Sequence, residues 1–257
     1  MNKIKFSHKF HSFTSNGKAM RGIHPVIRKT FFPQYTFVAA TISERSHASV
    51  HPGDANNKVT RLRPGMKAGL LVDTEIKRTF KFAIKYAIPV SAFISVEAQK
   101  KYASNATLNW TEKEKTLFQK KLAHGTTMIW QALYRYNLKP FAAQVPVADV
   151  SLRLGSAVDF VCKDTLGRHV IIEVKTGYSS YYYKHTNKPM LHLNITDTPA
   201  NQHQLQLLLT YELFRRTFPN VAMGGASIWR VDGVGMEIVP LKEVIRNQVA
   251  TILKAIQ

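Results

Sequence analysis

A chain of 257 residues, 45% of them hydrophobic, can bury a core of its own, and no apolar run approaches the roughly 18–20 residues that cross a bilayer. A single cysteine, Cys162, excludes an internal disulfide and a four-cysteine zinc or iron–sulfur site within one chain, and it fits a reducing, intracellular compartment. Lys and Arg number 36 against 16 Asp and Glu, a formal net charge of +20, so polyanions are the expected partners and nucleic acid the first among them.

Taken in order, residues 1–65 read as a basic arm followed by a linker. No acidic residue precedes Glu44, while Lys3, Lys5, Lys9, Lys18, Arg21, Arg28 and Lys29 do. That composition fits a nucleic-acid-binding arm and equally a mitochondrial transit peptide, so a nuclear, viral, nucleoid or mitochondrial DNA compartment is open. Residues 44–65 are polar and carry Pro52, Gly53, Pro64 and Gly65, as a linker would.

The domain is expected over residues 66–257. Val72, Ile76, Phe80 and Ile84 recur every four positions and predict a helix over 66–87, ended by Pro89. Thr111 and Glu114 form a capping-box pattern, opening a second helix that turns Leu117, Phe118, Leu122, Ile129, Trp130 and Leu133 inward. Strands follow at 141–150, 152–163 and 168–176, then a loop with Tyr178, Tyr181, Tyr182 and Tyr183. Thr198-Pro199 starts a helix that runs to about Arg216. Strands at 226–231 and 236–239 and a helix from about Leu241 close the chain. The order is that of an α/β fold with a mixed sheet flanked by helices.

One hairpin carries charges where a core is expected. Along its second strand Val170, Ile172 and Val174 share one face, and Ile171, Glu173 and Lys175 share the other. A three-residue loop at Thr165-Leu166-Gly167 would pair Asp164 with Arg168 and so place Asp159 opposite Glu173. Opposed residues have β-carbons about 4.5–5.5 Å apart, and like charges there destabilise a sheet. A divalent cation with oxygen ligands would compensate them, and Lys175 would be the next best cation. A solvated Glu173–Lys175 pair would explain those two residues alone, but not Asp159 among Phe160, Val161, Ile171 and Ile172. A second Glu-x-Lys, Glu75-Ile76-Lys77, lies in a predicted helix, where residues two apart diverge, and is read as a coincidence of spacing.

The run Gly155-Ser156-Ala157-Val158-Asp159, with Glu173-Val174-Lys175-Thr176-Gly177, resembles the core of the PD-(D/E)XK nuclease superfamily, nearest its RecB-like and lambda-exonuclease-like group. The resemblance spans roughly residues 69–214 and is specific over 155–177. It implies a restriction-endonuclease-like core in which Asp159, Glu173 and the Val174 carbonyl hold Mg²⁺, with Mn²⁺ as a substitute, and Lys175 acts on water. It further implies an acid on the preceding helix, for which Glu75 is favoured over Asp73. A Gln and a Tyr four apart are expected on the following helix. Here Leu207 stands four before Tyr211, so Gln204 with Tyr211, or Gln206, are the candidates.

The implied activity is metal-dependent hydrolysis of DNA, at single-stranded or duplex ends as an exonuclease, in recombination, repair or end-processing. Tyr178, Tyr181, Tyr182, Lys184 and Lys188 would contact the nucleic acid, with packing of the loop on itself as the other reading. A catalytically degenerate nuclease fold that only binds nucleic acid is the competing reading, and a basic interaction protein the third. No Walker-type phosphate loop is present.

Overall fold

The computed structural model describes residues 4–7, 12–32, 64–90, 112–176, 182–184, 190–231 and 235–257. In chain order these form β1 (Ile4–Ser7), β2 (Ser12–Ser15), β3 (Lys18–Gly22), α1 (Ile23–Phe31), α2 (Pro64–Lys85), α3 (Glu112–Arg135), β4 (Lys139–Asp149), β5 (Leu154–Lys163), β6 (His169–Thr176), α4 (Pro199–Thr217), β7 (Met223–Val231), β8 (Met236–Pro240), α5 (Glu243–Arg246) and α6 (Val249–Ala255). The predicted helices and strands from residue 64 onward recur within a few residues. The capping box at Thr111 lies outside the described residues, as do the side chains of Leu117, Phe118 and Leu122.

The sheet is mixed. Its order is β1-β2-β3-β5-β6-β7-β8, with β4 on the other edge of β5. The β3–β5 and β6–β7 pairs are parallel, and the rest are antiparallel. Strands β5, β6 and β7 are apolar on both faces, so each face must be covered by helix. Phe160, Cys162, Ile172, Val174, Trp229 and Val231 face α2 and α3, where Val72, Ile76, Phe80, Ile129, Trp130 and Leu133 meet them. Phe80 stacks on Phe160 with ring centroids 4.1 Å apart, which anchors α2 over the middle of β5. Val161, Ile171 and Ile228 face the other layer, where α4 supplies Leu205, Leu208 and Leu209.

Local chemistry sets the helix ends. Thr198 caps α4, its hydroxyl accepting from the Asn201 amide at 3.0 Å, with Pro199 at the first helical position. Both α2 and α3 close through a left-handed residue, Ala87 (φ 49°) and Asn137 (φ 51°). In each, the next amide reaches back across the last turn, Ile88 to Ala83 and Leu138 to Leu133.

The arm expected at the N-terminus is corrected over residues 4–7 and 12–32, which are part of the fold. Strand β3 runs parallel to the start of β5, pairing Arg21 with Leu154 and Gly22 with Gly155. Ile23, Val26, Ile27 and Phe31 are buried on one stripe of α1, packed in the α4 layer. The Arg21 guanidinium donates to the carbonyls of Leu152 and Ile256, both at 2.9 Å, tying the first strands to the last helix. A glycine is required at 155, because a β-carbon there would meet the Phe13 side chain at 2.8 Å. High positive charge hid this stripe: read as composition the segment is an arm, read at a spacing of three and four it is an amphipathic helix.

Phe31 is 1% exposed. Phe31→Ala is expected to cost about 3–5 kcal/mol in a denaturant titration, as for any fully buried aromatic. A loss below about 0.5 kcal/mol, the range of surface substitutions, would return the segment to the arm reading.

Candidate active site

The hairpin between β5 and β6 sets the site's register. Gly167 takes the left-handed conformation (φ 74°) that a three-residue loop needs, and the Asp164 amide donates to the Arg168 carbonyl at 3.0 Å. Phe160 opposes Ile172, and Val161 opposes Ile171. The pairs follow the register the loop length predicts, but the ladder stops at Phe160–Ile172, one step short of Asp159 and Glu173.

Asp159 sits where several ladders stop. Pairing with β4 passes from Ala143–Phe160 to Val145–Val158 and skips Gln144 and Asp159. Gln144 is left-handed (φ 53°) in mid-strand, a conformation that costs a non-glycine residue roughly 1–3 kcal/mol. On the other edge β3 reaches only Gly155, and the β6 ladder begins at Phe160. The carboxylate therefore lies in a gap between strands, with α2 on one side and α4 on the other.

Each helix delivers a partner. From α2, the Lys77 ammonium lies 2.7 Å from Asp159 Oδ1 and 2.8 Å from Asp73 Oδ2. Asp159 Oδ2 accepts from the Val174 amide at 3.1 Å. From α4, Gln206 accepts from Lys175 Nζ at 2.8 Å through its amide oxygen and donates to Glu173 Oε1 through its amide nitrogen. Lys175 Nζ also lies 2.8 Å from Glu173 Oε1. Glu173 Oε2 is buried and has no hydrogen-bond partner among the described residues.

The electrostatics follow. Burial, and next the Asp159 charge, push the Glu173 carboxyl up to about 7, against the pull of Lys175. The same two causes raise the Asp73 carboxyl. Burial would lower the Lys77 ammonium, but Asp159 and Asp73 outweigh it, so its pKa rises and it stays charged. His203, one turn before Gln206 on α4, is held well below its ordinary value by burial and then by the Lys175 charge, so it is neutral.

Asp159, Glu173 and Lys175 thus meet at one place, where Val174 contributes its amide rather than the expected carbonyl. Other expected residues do not. Glu75 points away, with Arg78 Nη1 3.7 Å from its carboxylate, and Asp73 is the α2 acid at the site. Periodicity held that signal: about 100° per residue puts Asp73 roughly 40° from the centre of the Val72–Ile76–Phe80–Ile84 stripe and Glu75 roughly 120° from it. Gln204 is also corrected: it binds the Pro240 carbonyl at 3.1 Å and the Lys242 amide at 2.9 Å, joining α4 to the chain after β8. Tyr211 packs in the α4 core, with the Arg215 guanidinium 6.0 Å from its ring centroid. Because α4 is buried on nearly every side, its pattern could not rank Gln204 against Gln206.

In the tyrosine loop, Tyr178, Tyr181 and Lys188 lie outside the described residues. Tyr182 is 1% exposed, its hydroxyl 3.4 Å from His203 Nδ1 and its ring under Arg230, so it is a packing residue with no face for a base. Tyr183 is half-exposed and donates to Glu237, and Lys184 is exposed.

No family model matches this chain, and no curated protein matches it. Among solved structures, the crystal structure of SSO0001 is similar over 73% of this chain and 84% of its own, at 14% identity and a TM-score of 0.26. At that score the likeness carries no argument about fold or chemistry. No helix among the described residues is long and apolar enough to cross a membrane.

A raised carboxyl binds its proton more tightly in the folded chain. Between the ordinary 4.5 and about 7 the native state holds a proton the unfolded state has released, so stability falls as pH rises through that window. In EDTA the melting temperature is expected to carry this fall, and Glu173→Gln to remove on the order of 1 kcal/mol of it. An unchanged pH slope in the variant would mean that Glu173 is ionised throughout.

Proposed function

We propose that this chain is a metal-dependent nuclease of the PD-(D/E)XK type, with a restriction-endonuclease-like core, hydrolysing phosphodiester bonds in DNA. The observation that carries the reading is the buried pair Asp159 and Glu173, brought together where Asp159 accepts from the amide next to Glu173, with Lys175 beside Glu173 and Glu173 Oε2 without a partner among the described residues. Two like charges on a core hairpin are costly, and such an arrangement persists where a cation is to be bound. A net charge of +20 supports a polyanionic substrate.

The donor set is chemically suited to Mg²⁺ or Mn²⁺. It offers hard carboxylate oxygens from Asp159 and Glu173, and one of those oxygens is buried and unengaged. Among the described residues no cluster of three or more His, Cys, Asp or Glu is arranged to hold an ion, so backbone or substrate oxygens would complete the shell. The chemistry such an ion supplies when bound is Lewis acidity toward a phosphodiester and acidification of water.

The remaining roles belong to the chain. Gln206 holds Lys175 and Glu173 at once, so the ammonium is aimed by two fixed acceptors rather than by solvent. From there Lys175 can orient water and offset the charge that grows on the phosphorane-like transition state. The Val174 amide fixes the rotamer of Asp159, and Lys77 balances its charge. Action at DNA ends, as an exonuclease in recombination, repair or end-processing, completes the proposal.

The test is cleavage of end-labelled linear and circular DNA, single- and double-stranded, with Mg²⁺, Mn²⁺ or EDTA. Lys175→Ala and Asp159→Ala are expected to lower turnover by about 100-fold or more while DNA binding changes little. Sparing of circles would identify the exonuclease. Binding without cleavage under every metal would instead favour the degenerate, binding-only fold, and cleavage that survives in Lys175→Ala would sink the assignment.

A further inference from the structure

Lys77 belongs to the Glu-x-Lys copy on α2 that spacing alone dismisses, yet it stands in the site. Core packing puts it there: Val72, Ile76 and Phe80 are each no more than 3% exposed, and they seat α2 so that the next position along the stripe overlooks Asp159. The ammonium is 2.7 Å from Asp159 Oδ1, while the Val174 amide takes Oδ2. Both oxygens of this carboxylate are therefore engaged by the chain itself. A cation approaching Asp159 must share Oδ1 with a positive charge in direct contact, or displace it.

We infer that Lys77 is a positioning residue that competes with the divalent cation for Asp159 and thereby sets how tightly the site takes the ion, an inference that rests on the metal-dependent reading above. Asp73 makes the exchange possible. One helical turn from Lys77, it already holds the ammonium at 2.8 Å, so a Lys77 released from Asp159 keeps a partner and no buried charge is left unpaired. Across the site the carboxyl groups of Asp73, Asp159 and Glu173 are met by the ammonium groups of Lys77 and Lys175. The internal ammonium thus preassembles the carboxylates and at the same time weakens their hold on an ion.

Calorimetric titration with Ca²⁺, which reports binding without turnover, tests this on the full chain, using wild type, Lys77→Gln and Asp159→Asn. Lys77→Gln is expected to bind Ca²⁺ about tenfold tighter, since a unit charge removed from contact with a ligand oxygen is worth at least that much at protein dielectric. Asp159→Asn is expected to weaken binding. Equal or weaker binding by Lys77→Gln, with wild type still binding, overturns the inference and leaves the nuclease reading standing. Absence of Ca²⁺ binding in both overturns the two together. Amine-reactive labelling of wild type, read at Lys77 by mass spectrometry, is independent of whether the variant folds. Labelling is expected to rise severalfold as Ca²⁺ saturates, and labelling that stays constant overturns the competition.

Discussion

The structure is organised around a repulsion. Asp159 and Glu173 meet just beyond the last pair of the β5–β6 ladder, both largely withdrawn from water, and two ionised carboxylates in that position would push the hairpin apart. The fold answers with one ammonium from each side. Lys77 comes down from α2 onto Asp159, and Lys175 reaches along β6 to Glu173. Glu173 still carries the unresolved part of the conflict: its carboxyl is pushed up, and its Oε2 has no partner among the described residues.

Holding that arrangement requires two rigid layers, and the two apolar clusters supply them. The Phe80–Phe160 stack joins α2 to the strand that carries Asp159, one position away from the acid. On the opposite face α4 packs Leu205, Leu207 and Leu208 into the core on either side of Gln206, so the amide that binds both Glu173 and Lys175 has little freedom to move. Core residues adjacent to Asp159 and Gln206 thus back the polar contacts of the site, which is how a few hydrogen bonds can be held in fixed geometry in a marginally stable chain. Pairing is interrupted at Asp159, with Gln144 left-handed across from it, so the backbone of β4 does not pair with that position.

The N-terminal strands add a second tie. With β3 beside the start of β5 and Arg21 bonded to the carbonyls of Leu152 and Ile256, the first and last parts of the fold close over the same edge. Basic residues that composition assigns to a free arm are here partly structural, and Arg21 is the clearest case.

Where a signal is local, the sequence carries it. The alternation along β6, the glycine at 167 and the loop length were sufficient to set the hairpin's pairs up to Phe160–Ile172, which carries Asp159 and Glu173 to the same end of it, because strand register follows from turn geometry and a period of two. The stripe Val72–Ile76–Phe80 likewise contained the choice of Asp73 over Glu75, since a helix of known pitch orders its own faces. What the sequence could not decide is which distant groups meet. Gln204 and Gln206 are both buried on a helix surrounded by core, and Tyr182 reads the same whether it stacks on a base or on Arg230. Lys77 reaches Asp159 across 82 residues of chain only because two apolar layers dock α2 on the sheet. Local periodicity determined the elements and the acidic pair, while the packing of one helix against another strand decided the partners, because contact between them is a property of the docked faces and of no single stretch of sequence.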